Sequence, residues 1–215
     1  MASCRRIVSK DIFGLYAITP DEINTAELLR KSRLALQGGA RILQYRNKLA
    51  DTSLKLQQAL ALRQLTSEFE CTYIINDDAQ LAAQVDADGV HLGGEDGSVL
   101  AARALLGSTK LIGVSCYNRL LLAIEAVKQG TDYVAFGAFY SSGVKPGAVK
   151  AEVGLLQTAS KELNLPIVAI GGITQQNGAA LIQNGADALA VISALWNAPD
   201  IHAATQEFSL LFGKA

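Results

Sequence analysis

Short apolar runs recur along this chain at a regular beat, and that beat limits the folds open to it. The runs are LYAIT (15–19), RILQYR (41–46), YIIND (73–77), GVHLG (89–93), LIGVSC (111–116), YVAFG (133–137), IVAIGG (167–172) and ALAVIS (188–193). Most are near-continuous rather than alternating, as strands buried on both faces of a parallel sheet are. Helical patterns separate them. DEINTAELLRKSRLALQGG (21–39) opens with acids and closes on Gly38 and Gly39, which are start and stop signals of a helix. Seven more follow: 53–69, 79–86, 98–107, 118–130, 154–163, 174–185 and 199–213. Strict βα alternation gives an α/β fold with right-handed crossovers. Eight of each in a chain of this size predict a single-domain (β/α)8 TIM barrel spanning 1–215. An open doubly wound sheet is the second choice, weakened because no GxGxxG follows the first strand.

A repeat supports the barrel. QGGARIL (37–43), VDADGVHL (85–92), KQGTDYVAF (128–136) and QNGADALAV (183–191) each put Gly or Asp before a small residue and then a strand. They read as one helix-to-strand turn used several times. No linker, low-complexity tract or charge run divides the chain.

Composition narrows the function. The 215 residues carry a net charge of −1, which argues against nucleic acid as a partner, since such binders present a basic face. Cys4, Cys71 and Cys116 have no metal-like spacing and read as reduced, inert thiols. MASCRRIVSK lacks the apolar stretch of a signal peptide, and no apolar run reaches the roughly 20 residues of a membrane span. The expectation is a soluble cytoplasmic protein with small-molecule partners and no membrane contact; assembly into a homo-oligomer is left open.

In a barrel the chemistry sits at the carboxyl ends of the strands. Arg46 and Lys48 follow strand two, Asn76 and Asp77 end strand three, and Gly93, Gly94, Glu95 and Asp96 follow strand four. Ser115 ends strand five, Gly171 and Gly172 end strand seven, and Ile192 and Ser193 end strand eight. Strand six runs into AFGAFYSSGVKPGAVKAE (135–152), where one lysine, Lys145, stands among small and glycine residues. A turn needs no lysine; a phosphate site uses bare N–H groups, small hydroxyls and a cation together. Cations Arg46, Lys48 and Lys145 facing carboxylates Asp77 and Asp96 suggest a Mg²⁺–diphosphate site, because Mg²⁺ takes one or two protein carboxylates with phosphate oxygens and water. Exposed N–H groups after strands seven and eight make the barrel's common phosphate pocket. Asp78 stands equally well as a helix N-cap. His91, mid-strand, reads as a packed or supporting histidine, and His202 as structural.

These blocks resemble the thiamine-phosphate synthase (thiamine-phosphate pyrophosphorylase) family. LYAITP, GGARILQYRNK, IINDDAQLAAQVDADGVHLGGED, IGVSCYN, VAFGAFYSSGVKPGA and VAIGGITQQNGAALIQNGADALAVISAL match its signature blocks in order, over about residues 12–212. The resemblance implies that Gln44, Tyr45, Arg46, Asn47 and Lys48 hold an aminopyrimidine diphosphate, with Arg46 and Lys48 on the diphosphate. Asn76, Ser115 and Lys145 resemble further contacts to it, and Asp77 and Asp96 resemble Mg²⁺ ligands. Ser142, Gly143, Val144, Gly172, Ile192 and Ser193 resemble contacts to a thiazole phosphate. The implied catalytic residues are Arg46, Lys48 and Lys145. Two departures stand out: Ser142 and Val144 where threonine is usual, and Asn47 where glutamate is common.

The implied reaction is loss of diphosphate from the pyrimidine methylene carbon, followed by attack of the thiazole nitrogen. Two rivals are a thiazole tautomerase and a non-catalytic phosphate-ligand sensor. Tautomerases of this superfamily tend to carry a histidine just past strand five, where this chain has Tyr117 and Asn118.

Overall fold

A computed structural model describes residues 12–94, 97–141 and 149–214. Among these, the strands are β1 (Gly14–Ile18), β2 (Ile42–Tyr45), β3 (Thr72–Asn76), β4 (Gly89–Leu92), β5 (Leu111–Tyr117), β6 (Tyr133–Phe136), β7 (Ile167–Ile170) and β8 (Ala188–Val191). Each pairs in parallel with the next, and β8 pairs with β1, so the sheet closes as the strand pattern requires. Helices α1 (Thr25–Gln37), α2 (Thr52–Glu68), α3 (Ala79–Gln84), α4 (Val99–Leu106), α5 (Leu120–Lys128), α6 (Gly154–Glu162), α7 (Gly178–Gln183) and α9 (Ile201–Leu210) form the outer layer. One turn of helix not expected from the sequence, α8 (Ser193–Trp196), lies between β8 and α9.

The near-continuous apolar runs follow from two cores. Outward residues such as Leu43, Tyr73, Val90 and Ile112 pack against the helices. Alternate residues Tyr16, Ile42, Ile74, Tyr133, Val168 and Ala188 fill the lumen. Gly113 is glycine because of this filling: a Cβ there would lie 2.0 Å from the Tyr133 ring.

Of the boundaries that differ from the sequence reading, three have a clear local cause. Helix α1 starts at Thr25 rather than at the acids, because Asn24 is the N-cap, accepting from the Glu27 N–H, while Asp21 is bonded elsewhere. β5 continues past Ser115 to Tyr117, with a register shift between the two that inserts one extra residue. Strand eight stops at Val191, because the backbone of Ile192 (φ −119°, ψ −89°) leaves the strand and Ser193 opens α8.

The expected repeat is present at the amino ends of the strands. The carboxylates of Asp88, Asp132 and Asp187, one before each of β4, β6 and β8, accept from the N–H of Tyr73, Ile112 and Ile167 at 2.7 Å each. The same three aspartates return their own N–H to the carbonyls of those residues.

Candidate functional site

The alternation that fills the lumen also selects which side chains reach the rim. Gln44, Asn76, His91 and Ser115 lie on the lumen parity of β2, β3, β4 and β5. Tyr45 lies on the outward parity and belongs to the core between sheet and helices.

The segment after β2 is fixed from both sides. Thr19 Oγ1 donates to the Arg46 carbonyl and accepts from the Arg46 N–H, each at 2.9 Å. Asp21 Oδ1 accepts from Arg46 Nη1 at 3.0 Å and from the Lys48 N–H at 2.7 Å. Arg46 is thus oriented by one carboxylate and keeps further N–H donors for a ligand. Asn47 is buried; its Nδ2 donates to the Glu22 carbonyl and to Gln58 Oε1, while its Oδ1 accepts from the Leu49 and Ala50 N–H groups. The Tyr45 hydroxyl donates to the same Gln58 Oε1. The structure therefore brings Tyr45 and Asn47 to the site as supports of the segment, with their polar side-chain atoms bonded away from the lumen. The departure at Asn47 also has a physical reading: this position needs a donor and an acceptor on one side chain, which an amide supplies and a carboxylate does not. Asp21, Thr19 and Gln58 were not singled out in the sequence. Asp21 in particular was hidden among the acids before α1.

After β3 the backbone of Asp77 adopts φ +64°, and its N–H donates to the His91 carbonyl at 2.8 Å. Asn76 Nδ2 donates to Asp77 Oδ2. This places an acid at the rim in a conformation that Asn and Asp tolerate better than most residues. Asp78 is the N-cap of α3, accepting from the Leu81 N–H. Tyr45, Arg46, Asn47, Lys48, Asn76 and Asp77 all border one pocket of ≈ 650 Å³. Lys55 of α2, a cation not anticipated, borders it too.

Ser115 lies on the lumen face of β5, just before the irregularity in that strand. Beyond it Tyr117 takes φ +54° and its hydroxyl accepts from the Gly94 N–H. Beneath Ser115 runs a line of hydrogen bonds through the lumen. Gln44 Nε2 donates to the Tyr16 hydroxyl at 2.7 Å, and Tyr16 and Tyr133 share a hydroxyl–hydroxyl bond of 3.0 Å. Tyr133 meets His91 Nδ1 at 3.1 Å, and His91 Nε2 meets Ser115 Oγ at 2.9 Å. Burial pushes both tyrosine hydroxyls up, so they stay protonated. His91 supports Ser115, in line with the sequence reading. Cys116 faces outward and buried, its thiol pushed up to about 12 by desolvation, which makes it unreactive.

A second pocket, ≈ 340 Å³, opens between the ends of β7 and β8, and glycines and small residues dominate its border. Gly171 and Gly172 take φ +103° and +61°, and a Cβ on Gly172 would lie 2.5 Å from the Ser141 carbonyl oxygen. Glycine is required there on both counts. Ile192 and Ser193 border the same pocket. Trp196 anchors α8 by donating its indole N–H to the Ile18 carbonyl of β1. Asp96, Ser142, Gly143, Val144 and Lys145 lie outside the described residues. Among the described residues no group of three or more His, Cys, Asp or Glu forms a protein-only metal cage, and no helix is long and apolar enough to cross a membrane.

Comparison with known proteins agrees with this fold. The family described as thiamine monophosphate synthase matches residues 15–195. A thiamine-phosphate synthase of Methylobacillus flagellatus is 56% identical over 201 residues, covering 94% of this chain and 96% of its own. One of Nitrosomonas eutropha is 54% identical, covering 94% and 95%. The solved thiamine phosphate pyrophosphorylase of Pyrococcus furiosus superposes with a TM-score of 0.86 at 34% identity, covering 95% of this chain and 97% of that one.

Proposed function

This chain belongs to the thiamine monophosphate synthase family, and we propose that the two unlike pockets on its rim hold the two halves of the product. It is a transferase of thiamine biosynthesis, with thiamine-phosphate synthase activity. In our reading the whole chain, 1–215, is one catalytic domain. The larger, charged pocket takes 4-amino-2-methyl-5-(diphosphooxymethyl)pyrimidine, and the glycine-lined pocket takes the phosphate of a thiazole ethyl phosphate. The observation that carries this is the contrast in how the two are built. One presents cationic side chains beside a carboxylate. The other presents backbone curled through left-handed glycines, a geometry that exposes N–H groups to an anion.

The chain's own part in the chemistry is electrostatic. Arg46, oriented by Asp21, and Lys48 hold the diphosphate, and Lys145 joins them. Their positive charge favours departure of the diphosphate from the methylene carbon, because negative charge grows on the leaving group as the bond breaks. The ring amino group stabilises the carbon left behind. The neighbouring pocket presents the thiazole nitrogen to that carbon, which makes the second step effectively unimolecular. Ser142, Gly143, Val144, Gly172, Ile192 and Ser193 hold the thiazole phosphate.

The residues present fit a divalent ion. Asp77 offers one carboxylate within the cation-lined pocket, and Asp96 offers the second on the next loop. Sparse protein ligation of this kind suits Mg²⁺, which keeps water and phosphate oxygens in its shell. Mg²⁺, when bound, supplies neutralising charge for the diphosphate.

The test is incubation with both substrates, with and without Mg²⁺, reading diphosphate release. Release that depends on metal and on both substrates supports the reading. Binding without turnover would identify a sensor, and isomerisation of the thiazole alone would identify a tautomerase. Lys145→Ala should lower kcat on the order of a hundredfold; a loss smaller than about threefold would remove Lys145 from the diphosphate site.

A further inference from the structure

The hydrogen-bond line through the lumen has a direction, and the direction decides what Ser115 can do. An amide nitrogen only donates, so the Tyr16 oxygen accepts from Gln44 Nε2. The Tyr16 hydrogen then goes to its other partner, the Tyr133 oxygen. The Tyr133 hydrogen is left for His91 Nδ1. A neutral imidazole accepting at Nδ1 carries its hydrogen on Nε2, and that hydrogen points at Ser115 Oγ. Ser115 therefore accepts from below, and its own hydrogen is free to turn upward into the mouth of the barrel. The reverse wiring would turn the Ser115 hydrogen down onto His91 and leave only lone pairs for a ligand. Reversal would need an acceptor atom in place of Gln44 Nε2 at the start of the line.

The line is held by shape as well as by hydrogen bonds. The His91 and Tyr133 rings stack at 5.5 Å between centroids, 30° apart in plane. Gly113 leaves the space that the Tyr133 ring occupies. Gln44, Tyr16 and Tyr133 are all buried, so no bulk water competes for their hydrogen bonds. A purely structural lumen would be filled more cheaply by aliphatic residues, as it is at Ile42, Ile74 and Val168.

We propose that His91 is a positioning residue: fixed as the Nε2–H tautomer by the Gln44–Tyr16–Tyr133 line, it holds Ser115 with its hydroxyl hydrogen aimed at the departing diphosphate oxygen. This rests on the reading above and on the resemblance that makes Ser115 a contact to the pyrimidine diphosphate. The donor acts where negative charge grows, so its loss lowers kcat more than it changes KM.

Two measurements test it. The first needs no turnover. Imidazole ¹⁵N spectra of the free protein report the tautomer directly, and the chain has only two histidines, so His202→Gln assigns the signals. The expected state of His91 is protonated at Nε2 and bare at Nδ1; the opposite tautomer overturns the proposal whatever the protein's activity. The second is a double-variant cycle with both substrates and Mg²⁺. Ser115→Ala and His91→Ala should each lower kcat about tenfold to a hundredfold with both KM values within about twofold. The double variant should be no slower than either single one. His91→Gln, whose amide nitrogen stands near the position of Nε2, should recover most of the loss. Losses that multiply, or a His91→Gln as slow as His91→Ala, would overturn the proposal. If His91→Ala does not fold, Tyr133→Phe keeps the ring and removes only the hydroxyl. It should release the tautomer and slow kcat, and a variant unchanged in both counts against the line. Absence of diphosphate release by the unmodified protein would instead sink the functional reading, leaving the tautomer result standing.

Discussion

The two ends of this barrel solve opposite problems. At the amino ends of the strands one solution is used three times: Asp88, Asp132 and Asp187 each close a helix-to-strand turn onto the neighbouring strand with a 2.7 Å bond. Arg103 reinforces one of them, donating to Asp132 and to the carbonyls of Gly107, Lys110 and Gly130. At the carboxyl ends, among the described residues, four strands finish in four different ways. β3 ends in a left-handed aspartate, β5 in a bulge, β7 in two left-handed glycines and β8 in a single turn of helix. Repetition at one end indicates that the chain is solving for closure. Variety at the other fits the proposal that different strand ends serve different parts of the two substrates. The comparison predicts that changes at the top alter rate and changes at the bottom alter stability.

The sharpest test on the top is Asp77→Asn. Asparagine keeps the shape and tolerates φ +64°, so the fold should be retained. The negative charge is lost. The expected fall in metal-dependent kcat is on the order of a thousandfold, about 4 kcal/mol, with the melting temperature within about 2 °C of the parent. Steady-state rates over a Mg²⁺ titration and a thermal melt check both halves; full activity at limiting Mg²⁺ would remove Asp77 from the metal site.

Gly172→Ala is designed to break the comparison, because here the top should behave like the bottom. An alanine at φ +61° is strained, and its Cβ would press on the backbone of Tyr140 and Ser141. The combined destabilisation should be about 3 kcal/mol, made of roughly 1–2 from the backbone and the rest from the clash. KM for the thiazole phosphate should rise at least tenfold while that for the pyrimidine diphosphate barely moves. Equal rises for both substrates would mean that the two pockets are not separate sites.

What could be read from the sequence follows the same division. The eight strands and the repeated turn were legible because closure depends on local patterns: apolar runs, and Gly or Asp at fixed offsets before a strand. That Arg46, Lys48 and Asp77 come together at one pocket was legible because each follows a strand. The supports were not. Asp21 lies 25 residues from Arg46 and looks like a helix-starting acid. Tyr16 and Tyr133 lie 117 residues apart, and each looks like an ordinary apolar strand residue. Helix α8 is too short to produce a periodic signal, and the backbone turn at Ile192 that creates it has no sequence marker. Tyr45 and Asn47 border the charged pocket, yet their polar side-chain atoms bond to Gln58 and the Glu22 carbonyl, partners that nothing in the sequence marks.

At the bottom, Arg103→Ala removes four bonds to acceptors, one of them charged. A hydrogen bond to a charged group contributes about 1.5–3 kcal/mol, and water replaces part of the rest. The net loss should be about 2 kcal/mol, lowering the melting temperature by roughly 4–8 °C for a chain of this size. kcat should stay within about twofold, since the Arg103 guanidinium bonds at the amino ends of the strands and borders neither pocket. A tenfold loss of kcat with an unchanged melt would break the division between the ends.

The smallest expected effect asks whether the bottom turn is a true module. The fourth copy of the repeat has Arg41 where the others have aspartate. Its backbone already behaves like theirs, since the Arg41 N–H donates to the Leu15 carbonyl just as Asp88, Asp132 and Asp187 donate to Tyr73, Ile112 and Ile167. Arg41→Asp would complete the pattern by offering a carboxylate to the Leu15 N–H. A bond of that kind contributes about 1 kcal/mol net. Against it stands the loss of the arginine stem, which packs beside Gly14. The charge-assisted bond should win, because the other three copies make it at 2.7 Å without strain in the turn. The expected outcome is a rise in melting temperature of about 2–4 °C with unchanged kinetics. A fall of the same size would show that the β1–β2 turn is shaped by its arginine, and that the repeat visible in the sequence covers three copies rather than four.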